Sequence, residues 1–402
     1  MATPLPATMR AVVYDSAGKH GMKMAELPVP TPSPTQARAV CGAMHARCVM
    51  RHARGALPRQ PPADMPQAFL ARSAAVPRPA CSARVAQFPE FRGICSRAHP
   101  HGAPQVLIKV HAASLNPVDY KLPKFPVVGW MLQGKGVCFD ASGVVAAVGS
   151  KVTALAVGEP VFGKVSCALG EYCLAEAADV AAKPAGVTHE SAATVNVAGL
   201  TSLQALEATG LKPGDSVLVV GGAGGCGSFG VQLAKAMGAG KVTAICGDAN
   251  VGLCKELGAD MVCSYTAGDE ALIAALQAAG PFDCCYDTVT SPEDPSYERI
   301  SRAPGVLKPD TTHVAINAPL PDFARGALAT ATGLSWLQRS GFRVVMHSGN
   351  AAHLAKVAGW MAEGKVKALI DSTQPFTAEG VEAGYDRVAS RRARGKVVIK
   401  ME

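Results

Sequence analysis

The sequence is short of the features that mark a nucleic-acid binder, a secreted scaffold or a membrane protein. Aromatic residues fill 5% of its 402 positions, a thin supply for a base-stacking surface. Thirteen cysteines, an odd number with no C-x-x-C pair, give no disulfide framework. Cys226, Cys246 and Cys263 instead sit in apolar runs, the setting of reduced buried thiols in a reducing compartment. No basic n-region and apolar core precede the strand pattern that starts at Met9, so residence in the cytosol is expected. The charge-free stretch Ser216 to Leu233 has bilayer length, but glycines crowd it and Asp215 and Lys235 bracket it closely; no membrane span is expected.

What is present points to a two-domain α/β enzyme. Hydrophobic residues make up 49% and charged residues 17%, with 41 glycines, over a length too great for one ordinary core. The net charge of +8 arises wholly within residues 37–104, which hold ten arginines, no lysine and only Asp64 and Glu90 as acids. A basic balance confined to one segment gives no reason to expect a nucleic-acid partner for the folded enzyme. That segment has no helical or alternating period, and it reads as a disordered insertion into a surface loop or as a gene-model artefact. Its His45, His52, His99 and His101, scattered among Cys41, Cys48, Cys81 and Cys95, are the one place a zinc module could be sought; elsewhere no H-E-x-x-H or zinc-spaced cluster occurs.

Along the chain, Arg10 to Tyr14 and Met22 to Leu27 read as paired strands, and Gln105 to His111 as another. Short strands and turns fill Gly136 to Lys183, in the manner of a partly antiparallel barrel. His189 to Leu211 reads as one helix, with Ala193, Val197, Leu200 and Leu203 on a shared face and Gly210 as its stop. Strands and helices then alternate for about 150 residues, the mark of a doubly wound parallel sheet. The tail predicts a helix over Ala351 to Glu363, strands near Val366–Ile370 and Lys396–Lys400, and a helix between them. Residues 1–190 with 350–402 therefore form one expected domain and 191–349 the other.

The chemistry concentrates after the buried strand Ser216–Val220, which runs straight into Gly221-Gly222-Ala223-Gly224-Gly225-Cys226-Gly227 and then a helix. Gly222, Gly224 and Gly227 spell G-x-G-x-x-G: one glycine for the reversal, one for close approach to a pyrophosphate, one for helix–strand packing. Free N–H groups at the helix start would face the anion, aided by the dipole. The next strand, Lys241 to Cys246, is followed by Asp248, where an acid would hold the ribose hydroxyls of NAD; it could equally cap the helix starting at Val251. No Arg or Lys lies between 247 and 254 to meet a 2′-phosphate.

These residues resemble the zinc-free medium-chain dehydrogenases/reductases of the quinone oxidoreductase kind. Asn116-Pro117-Val118-Asp119 looks like their N-P-x-D segment. Val197 to Ala205 is similar to the helix leading into their cofactor domain, and Gly221, Gly224 and Gly227 match their fingerprint. Leu257-Gly258-Ala259-Asp260 with Tyr265, and Gly364 to Asp371, look like later family segments. The likeness is nearest to chloroplast-envelope quinone oxidoreductase homologues and mitochondrial reticulon-interacting reductases.

The resemblance implies a GroES-like catalytic domain joined to a Rossmann domain, with the cleft between them. It implies that Asn116 and Tyr120 face the nicotinamide, Thr201 bonds near its carboxamide, and Tyr265 lies at the adenosine end. It also implies NADP(H), with NAD(H) as the alternative because of Asp248 and Ala249, and work without metal. The expected reaction is hydride transfer from NAD(P)H to a quinone or the β-carbon of an α,β-unsaturated carbonyl. Tyr120 and Lys121 are the candidates to steady negative charge on the substrate oxygen, against packing for Tyr120 and plain solvation for Lys121. The alternatives are a 2-enoyl-thioester reductase of the same fold and a non-enzymatic, crystallin-like NAD(P)H- or RNA-binding protein. A homodimer is expected by analogy, and chloroplast or mitochondrion are the alternative compartments.

Overall fold

The computed structural model describes residues 5–31, 104–292 and 294–401. The readings made on the arginine-rich segment (insertion, disorder, zinc module) lie outside the described residues.

The first unit is built on strands. β1 (Thr8–Tyr14) and β2 (Met22–Pro28) form an antiparallel pair, with Val12 opposite Met24. β3 (Gln105–Ser114), β4 (Asp140–Val148), β5 (Pro160–Lys164), β6 (Tyr172–Glu176) and β7 (Val180–Ala182) follow. The central strand is β3, whose apolar run extends past His111 to a buried Ala112-Ala113-Ser114.

The second unit is a sheet of six parallel strands: β8 (Ser216–Val220), β9 (Lys241–Cys246), β10 (Met261–Ser264), β11 (Cys284–Asp287), β12 (His313–Ala315) and β13 (Phe342–Val344). Their order is β10-β9-β8-β11-β12-β13, the doubly wound arrangement in which ligands bind where the order reverses, beyond the carboxyl end of β8. Val217 to Val220 have no exposure because helices cover both faces, which is why the strand reads as an unbroken apolar run. The charge-free stretch over 216–233 is thus β8, a turn and the helix Gly225–Ala236; among the described residues no helix is long and apolar enough to cross a membrane.

The chain then returns. β14 (Ile370–Pro375) and β15 (Lys396–Lys400) join the first unit's sheet, ordered β14-β15-β3-β4-β5-β7 with β6 also on β3. The expected strand at Val366–Ile370 begins only at Ile370. Residues 365–367 are spent elsewhere: Lys365 and Val366 bond back to Trp360 O, and Lys367 pairs through its backbone with the Gln232 side chain.

The helix expected over His189–Leu211 is also revised. It is a helix at His189–Ala193, a π-type turn at Val195–Gly199, and a helix at Leu200–Thr209 that stops at left-handed Gly210. The Val197 N–H leaves the helical ladder and donates to Asp140 Oδ1 at 2.9 Å. Such turns commonly sit at working sites, and this one joins the two units.

Candidate active site

At the end of β8 the backbone turns through Gly221 at φ +82°, a region that L side chains rarely enter. The N–H groups of Gly221 and Gly222 both reach Ile245 O on β9 at 3.0 Å, fixing the turn to the neighbouring strand. A Cβ on Gly227 would lie 2.0 Å from Gly221 O, so the helix can cross the turn this closely only without one. No side chain caps the helix Gly225–Ala236 at Gly224. Its first N–H groups and its dipole are therefore offered to an anion, and the turn fits a coenzyme diphosphate. Thr201 is buried on the helix Leu200–Thr209, where the next residue, Ser202, donates to Cys226 O at 2.8 Å and meets the buried Tyr286 hydroxyl at 2.9 Å.

At the carboxyl end of β9, Asp248 is exposed and makes no cap; the helix Val251–Glu256 begins at Asn250 with no side-chain cap bond. Its carboxylate accepts from the Thr266 hydroxyl, and bonds from Ser264 and Thr266 hold it below the usual carboxylate range. Tyr265 lies over Gly247, where a Cβ would come within 2.9 Å of its phenolic oxygen. Arg394 Nη2 donates to Ala249 O at 3.3 Å. A cavity of about 750 Å³ lies here, with Ala249 and Gly252 on one side and Arg387, Arg392 and Arg394 on the other. Arginine side chains from the far end of the chain thus stand next to residues 249–252.

The third part is a buried polar cluster from the strand-built unit. Asn116 donates through Nδ2 to Ser114 O at 3.1 Å and to Asp140 Oδ2 at 2.9 Å, and accepts at Oδ1 from Lys396 Nζ at 2.5 Å. Both amide ends are engaged. Asp119 caps its own helix, Pro117–Lys121, by accepting the Asn116 N–H at 2.9 Å, and takes the Tyr385 hydroxyl at 3.1 Å. Its other oxygen, buried, has no partner, and burial pushes the carboxyl up to about 7. Tyr120 is 7% exposed, with its ring between His20 and Tyr385 at 6.0 and 6.3 Å and the Lys124 ammonium 5.6 Å above it. Burial raises its phenol pKa, with Arg391 pulling the other way. Lys121, half-buried, closes the short helix.

Of the residues read from the sequence, the glycine turn, Asp248 and Tyr265 follow the carboxyl ends of β8, β9 and β10, and Thr201 lies on the helix Leu200–Thr209. Asn116 approaches from the other unit through Lys396, whose Cδ would lie 3.0 Å from a Cβ on Gly225. Sequence reasoning missed Lys396, Asp140, Asn196 and Arg394. The first left one signal, a lysine leading into the apolar run Val397–Ile399; the others left none. Among the described residues no group of three or more His, Cys, Asp or Glu could hold a metal ion.

Fold and site together define a dinucleotide-binding oxidoreductase made of a GroES-like unit and a Rossmann sheet. Residues 102–187 match the alcohol dehydrogenase GroES-like domain and residues 257–399 the zinc-binding dehydrogenase family. The chain is 34% identical over 319 residues to a trans-enoyl reductase of Aspergillus terreus, covering 75% of this chain and 87% of that one. It is 32% identical over 308 residues to a chloroplastic NADPH-dependent alkenal/one oxidoreductase of Arabidopsis thaliana, covering 73% and 72%. A quinone oxidoreductase from Coxiella burnetii shares the fold at TM-score 0.67 and 24% identity, covering 98% of this chain and all of its own. The chain belongs to the medium-chain dehydrogenase/reductase family and is an oxidoreductase enzyme.

Proposed function

We propose that this enzyme uses NADPH to reduce the carbon–carbon double bond of an enone, or a quinone, without a metal. The observation that carries the reading is the uncapped glycine turn joined through Lys396 to the Asn116–Tyr120 segment, a diphosphate cradle next to a buried, hydrogen-bonded wall. The names of the relatives, an enoyl reductase and an alkenal/one oxidoreductase, favour a conjugated carbonyl. When bound, the reduced coenzyme supplies the hydride.

The protein's own groups divide the work in three. Gly221–Gly227 binds the diphosphate through backbone N–H groups. Asn116, with its amide fully engaged, presents a fixed surface to the nicotinamide, while Thr201 supports the carboxamide end. Tyr120, whose raised pKa keeps its phenol protonated, donates toward the substrate oxygen as charge develops there; Lys121 adds positive potential. For the coenzyme, Arg394 and Arg392 beside Ala249 supply the charge a 2′-phosphate needs, which favours NADPH over NADH. Asp248, engaged by Thr266, would meet the ribose.

Residues 1–190 with 350–402 act as the substrate domain and 191–349 as the coenzyme domain. A homodimer would form at the open edge of β13, beside which Leu328, Leu334 and Trp336 are exposed. None of the nine described cysteines forms a disulfide, in keeping with a cytosolic enzyme. The test is oxidation of NADPH against NADH with 9,10-phenanthrenequinone, a short enone and a 2-enoyl thioester. Faster turnover of the thioester would move the enzyme to the enoyl reductases, and no turnover with any of them would leave a binding protein.

A further inference from the structure

Lys396 opens β15 and is 4% exposed. Its ammonium is held by Leu115 O at 3.0 Å, Asn116 Oδ1 at 2.5 Å and, more loosely, Asp140 Oδ2 at 3.7 Å. Two hydrogen bonds and one charge contact thus hold the ammonium inside the protein. Asp140 has no exposure, and its second oxygen serves the other unit, taking Asn196 Nδ2 at 2.8 Å and the Val197 N–H at 2.9 Å. Asn196 in turn meets His347 Nε2 at 3.2 Å, just past β13. On the opposite side, Gly395 N donates to Ala223 O at 2.9 Å, so the residue before Lys396 is pinned to the glycine turn itself. One lysine therefore stands where three pieces meet: the coenzyme turn, the Asn116–Tyr120 wall and the π-type turn.

We propose that Lys396, paired with Asp140, is a positioning residue that fixes the distance between the glycine turn and the Asn116–Tyr120 segment. It thereby sets hydride donor and acceptor at reacting separation. Hydride transfer is steep in distance, and a shift of the order of 1 Å can cost about a hundredfold in rate. A buried charge pair suits such positioning. It stabilises little by itself, but each charge is intolerable without the other, so the two elements hold one relative placement. The inference rests on the coenzyme reading above and adds a residue to it.

The experiment compares wild type with Lys396→Met, Asp140→Asn and the double variant. Each single variant leaves a buried charge unpaired and melts early; the double variant leaves none and regains thermal stability. Hydrogen exchange followed by mass spectrometry, with and without NADPH, supplies a readout free of turnover. In wild type NADPH should protect both 222–228 and 116–121. In the double variant it should protect 222–228 only, with the single-turnover rate down about a hundredfold and NADPH affinity within about threefold of wild type. Equal protection of 116–121 in the double variant, or a wild-type single-turnover rate, overturns the positioning role alone. Absence of protection at 222–228 in wild type would overturn the coenzyme reading and this inference with it.

Discussion

Asp287, the last residue of β11, and His313, the first of β12, face each other at 2.9 Å, and neither side chain has any solvent exposure. Asp287 also accepts the N–H groups of Val289 and Thr290 at 2.8 and 3.0 Å, so the pair anchors the loop whose Thr288 hydroxyl roofs Gly221. Burial alone would lower the His313 pKa, but Cys285 and Asp287 outweigh it and lift it to about 10. A raised folded-state value stabilises fully below the unfolded histidine range, near 6.5, and that contribution fades as pH rises through about 10. Denaturant unfolding between pH 7 and 10 should therefore show falling stability in wild type. His313→Asn should be less stable at pH 7 by about 3–5 kcal/mol, because it strands a buried carboxylate, and should lose less as pH rises. Parallel curves for the two proteins would remove His313 as the origin.

Asp119 is an acid whose folded-state value is likewise raised. Burial holds its carboxyl up to about 7, so the folded state keeps a proton that the unfolded chain releases near 3.8. Stability contributed by that proton is complete below the unfolded value and drains away as pH rises from about 4 to 7. Asp119→Asn mimics the protonated acid and should flatten the pH–stability curve across this window. A variant whose curve keeps the wild-type slope would show that the proton is held elsewhere.

The glycine turn separates two substitutions of equal size. Gly227→Ala sets its Cβ 2.0 Å from Gly221 O, a clash with backbone that the turn relieves only by opening. Gly225→Ala meets Lys396 Cδ at 3.0 Å, a side-chain contact that a few tenths of an ångström relieve. Calorimetric titration with NADPH should show affinity lost by about a hundredfold or more in the first, roughly 3 kcal/mol, and by less than about tenfold in the second.

Arg394 is the sharpest test of coenzyme choice. Replacing it with Ala should raise KM for NADPH about ten- to hundredfold, the worth of about one charge-assisted phosphate contact, and leave KM for NADH near its starting value. A variant that loses both coenzymes equally would place Arg394 at the diphosphate or in the fold.

Tyr120→Phe keeps the ring that packs between His20 and Tyr385 and removes only the hydroxyl. If that hydroxyl donates to the substrate oxygen, kcat should fall by about tenfold to a hundredfold at unchanged coenzyme affinity. Unchanged turnover would leave Tyr120 a packing residue.

Much of this architecture is written locally. The apolar run at 216–220, the glycines after it and the helix beyond lie within about twenty residues, so sterics and periodicity reveal them without a fold. The same holds for β1 with β2 and for the stop at Gly210. The failures share a cause. The helix over 189–211 reads as continuous because its apolar face is continuous, and only Asp140, 57 residues from Val197, takes the N–H that opens the π-type turn. Val366 to Leu369 have strand composition, yet Val366 N bonds back to Trp360 O and the Gln232 side chain takes both backbone groups of Lys367.

The order of residues along the chain announces the glycine turn and the alternation of strands and helices, because each depends on neighbours a few positions apart. Only the folded molecule decided what surrounds the cradle. Arg394 reaches Ala249 O across 145 positions, and Lys396 meets Asn116 across 280. The physical reason is that electrostatics and hydrogen bonding act through space. Buried charges must find partners wherever the chain brings them, and no spacing in the sequence announces that meeting.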